Sequence, residues 1–408
     1  MNLPRLSFRP DDPAFFHNPY PHYERMRATG RAFYWEEYGV IAFPHFAEVN
    51  AILRDRRFGR EITHVMSREA AGLPPIPDRV APFYAFEANS MLEREPPAHT
   101  RLRGLVNRAF LSRHIERLRP RIASLAHELI DGFEARGEID LLPAFAEKIP
   151  VIVIAELLGV PSDMSDQLLD WSHKMVAMYQ FNRSRQTEDE AVAATLAFSA
   201  FMRAYADERR GDPRDDLLTR LIEAEEAGER LTGDELVTTA ILLLNAGHEA
   251  TVHAIGNGVK AVLQNNVDPL AALGDDPGGA GVADELLRFD PPLHMFSRFA
   301  LEDNDGLGAA PLKQGQQVAL LLGAANHDPA RFAEPSRLDF ARGGAGHVAF
   351  GAGIHFCIGA PLARIEMAEA IRVLFERLPG LELAGDPHYA ERYHFHGLRA
   401  LRVRWQAR

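Results

Sequence analysis

The only cysteine of the 408-residue chain, Cys357, lies in a glycine-rich segment just before a predicted helix. The segment, residues 347–364, reads HVAFGAGIHFCIGAPLAR. Its glycines allow the backbone to adopt positive φ angles and to approach a ligand closely. Pro361 suits the first turn of the following helix, and the positive end of a helix dipole favours an ionised thiol. The pattern therefore predicts a thiolate that the loop holds in place.

The chemistry of such a thiol has several interpretations. A lone cysteine is most often a small buried hydrophobic residue, but residues of that kind belong to periodic apolar segments. A nucleophile needs a base, and His347 and His355 are available, although no Cys–His family pattern is present. Zinc or an iron–sulfur cluster would need further ligands nearby in the sequence. A haem iron needs only one axial thiolate and an apolar slot.

Helical patterns dominate the chain from His99 onward, with apolar residues at three- and four-residue spacing. The longest pattern, about 232–264, opens with a T-x-x-E capping box at Thr232 and Glu235. It is apolar on nearly every face, which is typical of a helix buried in a large core. Short strand patterns complete a mainly α fold with small β-sheets. No clean linker divides the chain, so we expect one domain over residues 1–408.

Composition and charge exclude some functional classes. The chain has 45 basic and 57 acidic residues, and its formal charge of −12 argues against a nucleic-acid binder that depends on a basic face. A single cysteine cannot form an intrachain disulfide, which favours a reducing compartment. The first residues contain no apolar stretch of signal-peptide or anchor length. We expect a cytoplasmic protein with no membrane and no nucleic-acid partner.

The cysteine segment resembles the haem-binding signature of the cytochrome P-450 family, F-x-x-G-x-x-x-C-x-G. The matching residues are Phe350, Gly353, Cys357 and Gly359. The resemblance extends over essentially the whole chain and is to the soluble bacterial type. It implies the cytochrome P-450 fold, with a long central helix over a buried haem b. It further implies that the thiolate of Cys357 is the axial ligand, within a haem-thiolate loop at 347–361 that includes Gly351.

A second match is the E-x-x-R pattern at Glu285 and Arg288. Residues three apart share one face of a helix, so the two side chains can pair. By itself this spacing is also that of an ordinary surface ion pair, which contributes under about 1 kcal/mol. The resemblance implies instead a buried structural network beneath the haem that includes Arg342.

A third match concerns groups that bind carboxylates. His99 and Arg103 lie four residues apart on one predicted helical face, and both donate hydrogen bonds. The resemblance implies that these residues hold the haem propionates, together with Arg298 and His355.

The fourth match, NAGHEAT at residues 245–251, resembles the central-helix motif A/G-G-x-D/E-T-T. The resemblance implies an oxygen site at Ala246 and Gly247, with Glu249 as the acid of an acid–alcohol pair. Ala250 stands where the family usually has threonine, and Thr251 matches only the second alcohol. The ordinary proton relay is therefore in doubt, and an ordered water, Glu249, His248 or a substrate hydroxyl would have to supply the protons.

The resemblance also implies an apolar and aromatic substrate pocket. Its predicted walls are Phe83, Phe86, Met178, Tyr179, Phe181, Leu243, Leu293, Phe296 and Phe395. Polar contacts from Asn245, His294 and His396 are further candidates. Such a pocket predicts a hydrophobic small-molecule substrate.

Together these matches predict a monooxygenase that takes one oxygen atom from O2 for hydroxylation or oxidative demethylation. Its electrons would come from a separate ferredoxin and reductase. The alanine at position 250 leaves open a peroxide-using or rearrangement-catalysing member of the same fold. A haem sensor or carrier without catalysis is a third possibility, although no output module is visible in the sequence.

Overall fold

The computed structural model describes residues 3–110, 112–161, 164–179, 183–226, 228–276, 278–342 and 346–406. Helices predominate and the strands are short, which confirms the predicted mainly α fold with small β-sheets. In chain order the helices α1 to α16 are Pro13–His17, Tyr20–Ala28, Phe46–Arg54, Ala81–Glu87, Ala98–Ala109, Ser112–Glu116, Arg119–Asp131, Lys148–Leu158, Ser165–Val176, Arg185–Gly211, Leu217–Glu223, Gly233–Asn265, Pro269–Asp275, Ala280–Phe289, Leu322–Asn326 and Ala360–Arg377.

The strands form three small sheets. In chain order β1 to β11 are Arg5–Leu6, Phe33–Trp35, Val40–Phe43, Phe58–Gly59, Glu138–Asp140, Glu225–Glu226, Glu229–Arg230, Met295–Ala300, Gln317–Leu321, Glu382–Leu383 and Arg402–Arg404. The largest sheet has the order β1-β2-β3-β9-β8-β4, in which β1–β2 and β3–β9 are parallel pairs and the other pairs are antiparallel. A second sheet has the order β10-β11-β5, and β6 pairs with β7.

The chain packs as two compact units, each assembled from separate stretches of sequence. The first unit contains residues up to Ile62, Glu116–Ile149 and the residues from Ala250 onward. The second unit contains Thr63–Ile115 and Pro150–Glu249. The single domain over residues 1–408 stays a prediction.

The longest helix, α12, has 33 residues, so it is about 50 Å long at a rise of 1.5 Å per residue. Its predicted capping box is formed. The Glu235 backbone N–H donates to Thr232 Oγ1 at 3.2 Å, and the Thr232 backbone N–H donates to Glu235 Oε2 at 2.9 Å. These bonds satisfy backbone donors that would otherwise be unpaired, which is why the helix begins here. None of the described helices is both long and apolar enough to cross a membrane.

The first unit contains the large sheet and the helix that follows the cysteine loop. The inner face of the sheet buries Phe43 and Leu320 completely, and Trp35 is equally buried in a neighbouring apolar cluster. Helix α16 packs along α7, α13 and α14. The start of α16, and with it the cysteine loop, is therefore held on a packed framework.

The second unit is built mainly from helices, with α10 lying along α9 and against α4. A buried ion pair joins Arg209 Nε to an Asp216 carboxylate oxygen at 3.1 Å, with both side chains less than a tenth exposed. The end of α10, the helix along which α9 packs, is thereby joined to the start of α11.

Candidate functional site

The backbone of the cysteine loop depends on two glycines. Gly351 and Gly353 have φ angles of 68° and 71°, in the left-handed region that favours glycine. A Cβ at position 353 would lie 2.2 Å from the backbone oxygen of Leu53, closer than real contacts allow. Gly353 is therefore required both by its own conformation and by the neighbouring chain.

Cys357 lies three residues before the first residue of α16. Its backbone N–H donates to the carbonyl oxygen of Phe350 at 3.0 Å, which closes the loop, and its side chain is exposed. Pro361 occupies the first turn of α16 as predicted. The helix start provides partial positive charge beside the sulfur, and an exposed thiol is open to an incoming ligand.

The start of the loop is anchored to helix α14 through Asp284. His347 Nδ1 accepts a hydrogen bond from the Ala349 backbone N–H at 3.0 Å, so its other nitrogen, Nε2, carries the proton that faces Asp284 Oδ1 at 3.1 Å. Arg364 Nε donates to the same oxygen at 2.7 Å. Burial raises the pKa of Asp284, but the hydrogen bonds from His347 and Arg364 outweigh burial and hold that pKa below its ordinary value. His347 thus serves as an anchor of the loop.

The three residues of the predicted structural network do meet. Arg288 Nε and Nη2 donate to the two oxygens of Glu285 at 2.7 and 2.8 Å, and Arg342 Nε lies 3.3 Å from the same carboxylate. Both Glu285 and Arg288 are 2% exposed. Arg288 also donates to the carbonyl oxygens of Asn326, Pro335 and Arg337. The network therefore joins α14 to the chain before the cysteine loop.

Of the four residues predicted to hold the haem propionates, two belong to each unit. In the second unit His99 is 2% exposed, and Arg103 follows one turn later on α5. In the first unit Arg298 is a 3% exposed guanidinium on β8, and His355 is half-buried. A buried guanidinium is well suited to pair with an anion.

Glu249, the predicted acid of α12, is a buried carboxylate with two histidines beside it. Its Oε2 lies 3.5 Å from Nε2 of His173, on α9, and 3.7 Å from Nε2 of His248. His173 has no distinguishing pattern in the sequence and was not predicted to take part in the site. Only the packing of α9 within the second unit reveals it.

The small residues of the predicted oxygen site have different surroundings. A Cβ at Gly247 would lie 3.0 Å from Ile154 Cγ1, so the small size of Gly247 permits close packing against α8. Ala246 is exposed. Ala250 is half-buried, whereas Thr251 is only 5% exposed.

The predicted pocket residues of the second unit form a partly buried aromatic group. Phe83 and Met178 are 3% and 4% exposed, and Leu243 is also buried. The rings of Phe83 and Tyr179 are 6.3 Å apart, and the Tyr179 hydroxyl donates to Glu87 Oε2 at 2.7 Å. The remaining predictions here are Phe86, which is half-buried, and Phe181, which lies outside the described residues.

In the first unit Leu293 and Phe395 form an antiparallel bridge, and both are half-buried, as is Phe296 on β8. The adjacent histidines differ from the sequence interpretation. His294 is fully buried, with Nδ1 2.6 Å from the Tyr23 hydroxyl, and His396 stacks on Tyr389 at 3.7 Å. Both histidines are therefore packed against aromatic residues in the core of the first unit, and their contact with a substrate stays a prediction.

The fold and the cysteine loop define a mainly α haem-thiolate protein. The cytochrome P450 family model matches residues 280–378, the part that contains the Glu285–Arg288 pair and the cysteine loop. Cytochrome P450 107B1 of Saccharopolyspora erythraea is 42% identical over 73% of this chain and 72% of its own. The vitamin D(3) 25-hydroxylase of Pseudonocardia autotrophica is 38% identical over 91% of this chain and 89% of its own.

Solved structures give the same result. P450BioI, in complex with an acyl carrier protein ligated to hexadec-9Z-enoic acid, is 32% identical and has a TM-score of 0.88 over 96% of this chain and 100% of its own. The chain belongs to the cytochrome P450 family and is a monooxygenase of that family.

Haem b is the cofactor, and the thiolate of Cys357, the only cysteine, is its axial ligand. The residues present fit this group. An exposed thiol at a helix start suits the iron, and cationic donors such as the buried guanidinium of Arg298 suit carboxylate side chains.

Proposed function

We propose that the protein inserts one oxygen atom from O2 into a hydrophobic small molecule, by hydroxylation or oxidative demethylation. A separate ferredoxin and its reductase supply the electrons. The observation that carries the proposal is the exposed thiol of Cys357, held by a Gly353-dependent loop at the start of α16. A cytoplasmic location, and the lack of nucleic-acid or membrane partners, stay predictions from the sequence.

The protein binds and orients the cofactor. In the proposal His99, Arg103, Arg298 and His355 hold the haem propionates, and Phe350, Gly351 and Gly359 line the loop beside the porphyrin. Bound haem supplies the reductive activation of O2. Glu285, Arg288 and Arg342 have a structural role, because their side chains are occupied by one another and by backbone carbonyls.

Proton supply is assigned to Glu249, with Ala246, Gly247, Ala250 and Thr251 shaping the helix around it. Glu249 is 7% exposed, and its carboxylate lies beside the half-exposed His173, so a proton can pass from solvent toward Oε2 of Glu249. Ala250 carries no hydroxyl, so the final transfer falls to water or to a hydroxyl of the substrate. Thr251 matches the second alcohol of the motif and is 5% exposed, and in the proposal it shapes the helix and does not replace the missing alcohol.

The substrate is proposed to be hydrophobic because the candidate walls are. The candidates Phe83, Phe86, Met178, Tyr179 and Leu243 belong to the second unit, and Leu293, Phe296 and Phe395 belong to the first. Phe181 lies outside the described residues. Two relatives support this class by name. One is a hydroxylase of vitamin D(3), and the other was solved with a fatty acid on an acyl carrier protein.

A peroxide-using or rearrangement-catalysing enzyme is the second candidate. The observation that favours it is Ala250, since an enzyme that receives its oxygen already reduced does not need the alcohol of the relay. A comparison of turnover with peroxide against turnover with ferredoxin, reductase and NAD(P)H separates the two candidates.

The first experiment is the absorption spectrum of the reduced, carbon monoxide-bound protein. The wild type is expected to show the red-shifted band of thiolate ligation, and Cys357→Ala is expected to lose it. Cys357→His is the matched control, because it retains a ligand at the same position without a thiolate. A red-shifted band that persists in Cys357→His would refute the assignment of the axial ligand.

The second experiment tests the proton supply at position 250. Ala250→Thr restores the hydroxyl, and Ala250→Val provides the same shape without it. If proton delivery limits turnover, the fraction of reducing equivalents recovered in product rises for threonine and not for valine. Equal coupling in the wild type and in both variants would show that Ala250 is neutral.

A further inference from the structure

Three potential metal ligands converge at the buried carboxylate of α12. His173 Nε2 lies 3.5 Å from Glu249 Oε2, and His248 Nε2 lies 3.7 Å from the same oxygen. All three ligand atoms lie within 4.8 Å of one another. All three residues belong to the second unit, so the arrangement lies within a single unit.

The tautomer of His248 makes its inner nitrogen a ligand. His248 Nδ1 lies 2.9 Å from the carbonyl oxygen of Leu244, one turn earlier on α12. A carbonyl oxygen only accepts hydrogen bonds, so Nδ1 carries the proton and the neutral ring has its lone pair on Nε2. Histidines that bind metals commonly donate their other N–H to a backbone carbonyl in this way. His248 Nε2 lies 3.7 Å from Glu249 Oε2, a separation that a metal ion bound to both atoms would span.

The site is accessible from one side. The His173 side chain is 52% exposed, whereas His248 is fully buried and the Glu249 side chain is 10% exposed. An ion can therefore arrive at the exposed imidazole and then contact the two buried ligands. The exposed side leaves a coordination position for water, as in zinc sites with three protein ligands.

We propose that His173, His248 and Glu249 form a binding site for a divalent transition-metal ion of the zinc class. Zinc bound at about 2.0–2.1 Å in tetrahedral geometry places its ligand atoms about 3.3 Å apart. Two of the three separations are within a few tenths of an ångström of that value. The third separation is within 4.8 Å, and the exposed His173 ring is the ligand whose movement would adjust it. Two imidazoles and a carboxylate match the preference of zinc for nitrogen and oxygen ligands.

A second group of similar composition differs in its charges. Asp290, His294 and His396 also lie close together, fully buried in the first unit. There the carboxylate of Asp290 accepts hydrogen bonds from the hydroxyls of Tyr20 and Tyr389, and the Lys260 ammonium lies 3.5 Å away. An ion at Asp290 would meet a cation already in place. At Glu249 the neighbouring group is the exposed imidazole of His173, which can bind a metal ion, and not an ammonium group as at Asp290.

Occupancy of the site has a consequence for turnover, and this consequence rests on the proposed function. A metal ion on Oε2 of Glu249 would occupy the atom that is proposed to pass the proton. Zinc is therefore expected to inhibit product formation reversibly, and a chelator is expected to restore it. The binding site itself does not depend on this role.

The test is equilibrium dialysis of the full-length, untagged holoenzyme against Zn²⁺, with metal analysis per chain. We expect one tight site in the wild type. His173→Gln is expected to weaken binding by more than about tenfold, a loss found even for residues that only support a metal ligand. His64→Gln, a change of another exposed histidine in the same unit, is the matched control and is expected to bind as the wild type does. X-ray absorption at the zinc edge should show nitrogen and oxygen ligands at about 2.0–2.1 Å.

The outcomes separate clearly. Equal binding by the wild type and His173→Gln would mean an adventitious ion only and would overturn the proposal. The same holds if no stoichiometric zinc is retained. Binding that is lost in His173→Gln but does not inhibit turnover would support the site and count against the role of Glu249 in proton supply.

Discussion

The buried pair of Glu285 and Arg288 allows a sharp test of what stabilises the chain around the cysteine loop. Glu285→Gln keeps the shape of the side chain and removes its charge. The carboxylate accepts from Arg288 at 2.7 and 2.8 Å and from the Asp339 backbone N–H at 2.9 Å. A glutamine has one oxygen and one NH₂ group, so its NH₂ group would face a donor. The Arg288 guanidinium, 2% exposed, would lose its counter-charge.

The expected magnitude follows from this burial. Breaking a buried ion pair by removing one partner costs about 3–5 kcal/mol, because the remaining charge is buried without compensation. The chain contains a matched control, since Glu116 and Arg119 have the same spacing and order and lie 2.6 Å apart. The Glu116 side chain is 60% exposed. Glu116→Gln is therefore expected to cost under about 1 kcal/mol.

The assay is urea unfolding followed by far-ultraviolet circular dichroism, at equal haem content because bound cofactor stabilises the folded state. Glu285→Asp retains the charge and is expected to lose less free energy of unfolding than Glu285→Gln. The reasoning is refuted if Glu285→Gln unfolds within about 1 kcal/mol of the wild type, as an exposed pair would. It is equally refuted if the aspartate variant is the less stable of the two.

Two further predictions concern the cysteine loop and the buried histidines. Gly353→Ala should lower the haem content per chain, because the new Cβ would lie 2.2 Å from the Leu53 oxygen. Gly72→Ala is the control, because Gly72 has a similar φ of 67° and its Cβ would have no neighbour within 4 Å. Equal haem content in both variants would contradict this. Burial lowers the pKa of His294 from 6.5 to about 4, so the folded state binds fewer protons than the unfolded state. The contribution of His294 to the free energy of unfolding should fall by about 3 kcal/mol as the pH drops from 6.5 to 4. His294→Gln should flatten that slope and His64→Gln should not, and an unchanged slope in His294→Gln would disprove the assignment.

The sequence was sufficient to predict those features that depend on residues close together in the chain. The lone cysteine, the glycines before it and the proline after it are within a few residues of one another, and positive φ angles and helix starts are set by near neighbours. The ligand Cys357 and the family are therefore predictable from the sequence alone. The capping box of α12 belongs to the same class, since both of its hydrogen bonds join Thr232 and Glu235.

The direction in which a side chain points was harder to predict from the sequence. His294 and His396 appear polar and near the predicted pocket, but both are buried among aromatic residues of the first unit. Gly247 is recognisable as a small residue of the helix motif, but only the packing shows that a Cβ there would lie 3.0 Å from Ile154 of α8. In each case the residue type is visible in the sequence, and the face on which it lies depends on packing with segments far away in the chain.

The class of enzyme can be read from the sequence, because a single thiolate in a glycine loop and an acid on a long apolar helix are local patterns. The surroundings of that acid depend on how the helices pack. His173 precedes Glu249 by many residues and has no motif, and the two side chains lie 3.5 Å apart only in the folded second unit. Such contacts between distant residues arise from the burial of whole helix faces, which no short stretch of sequence specifies.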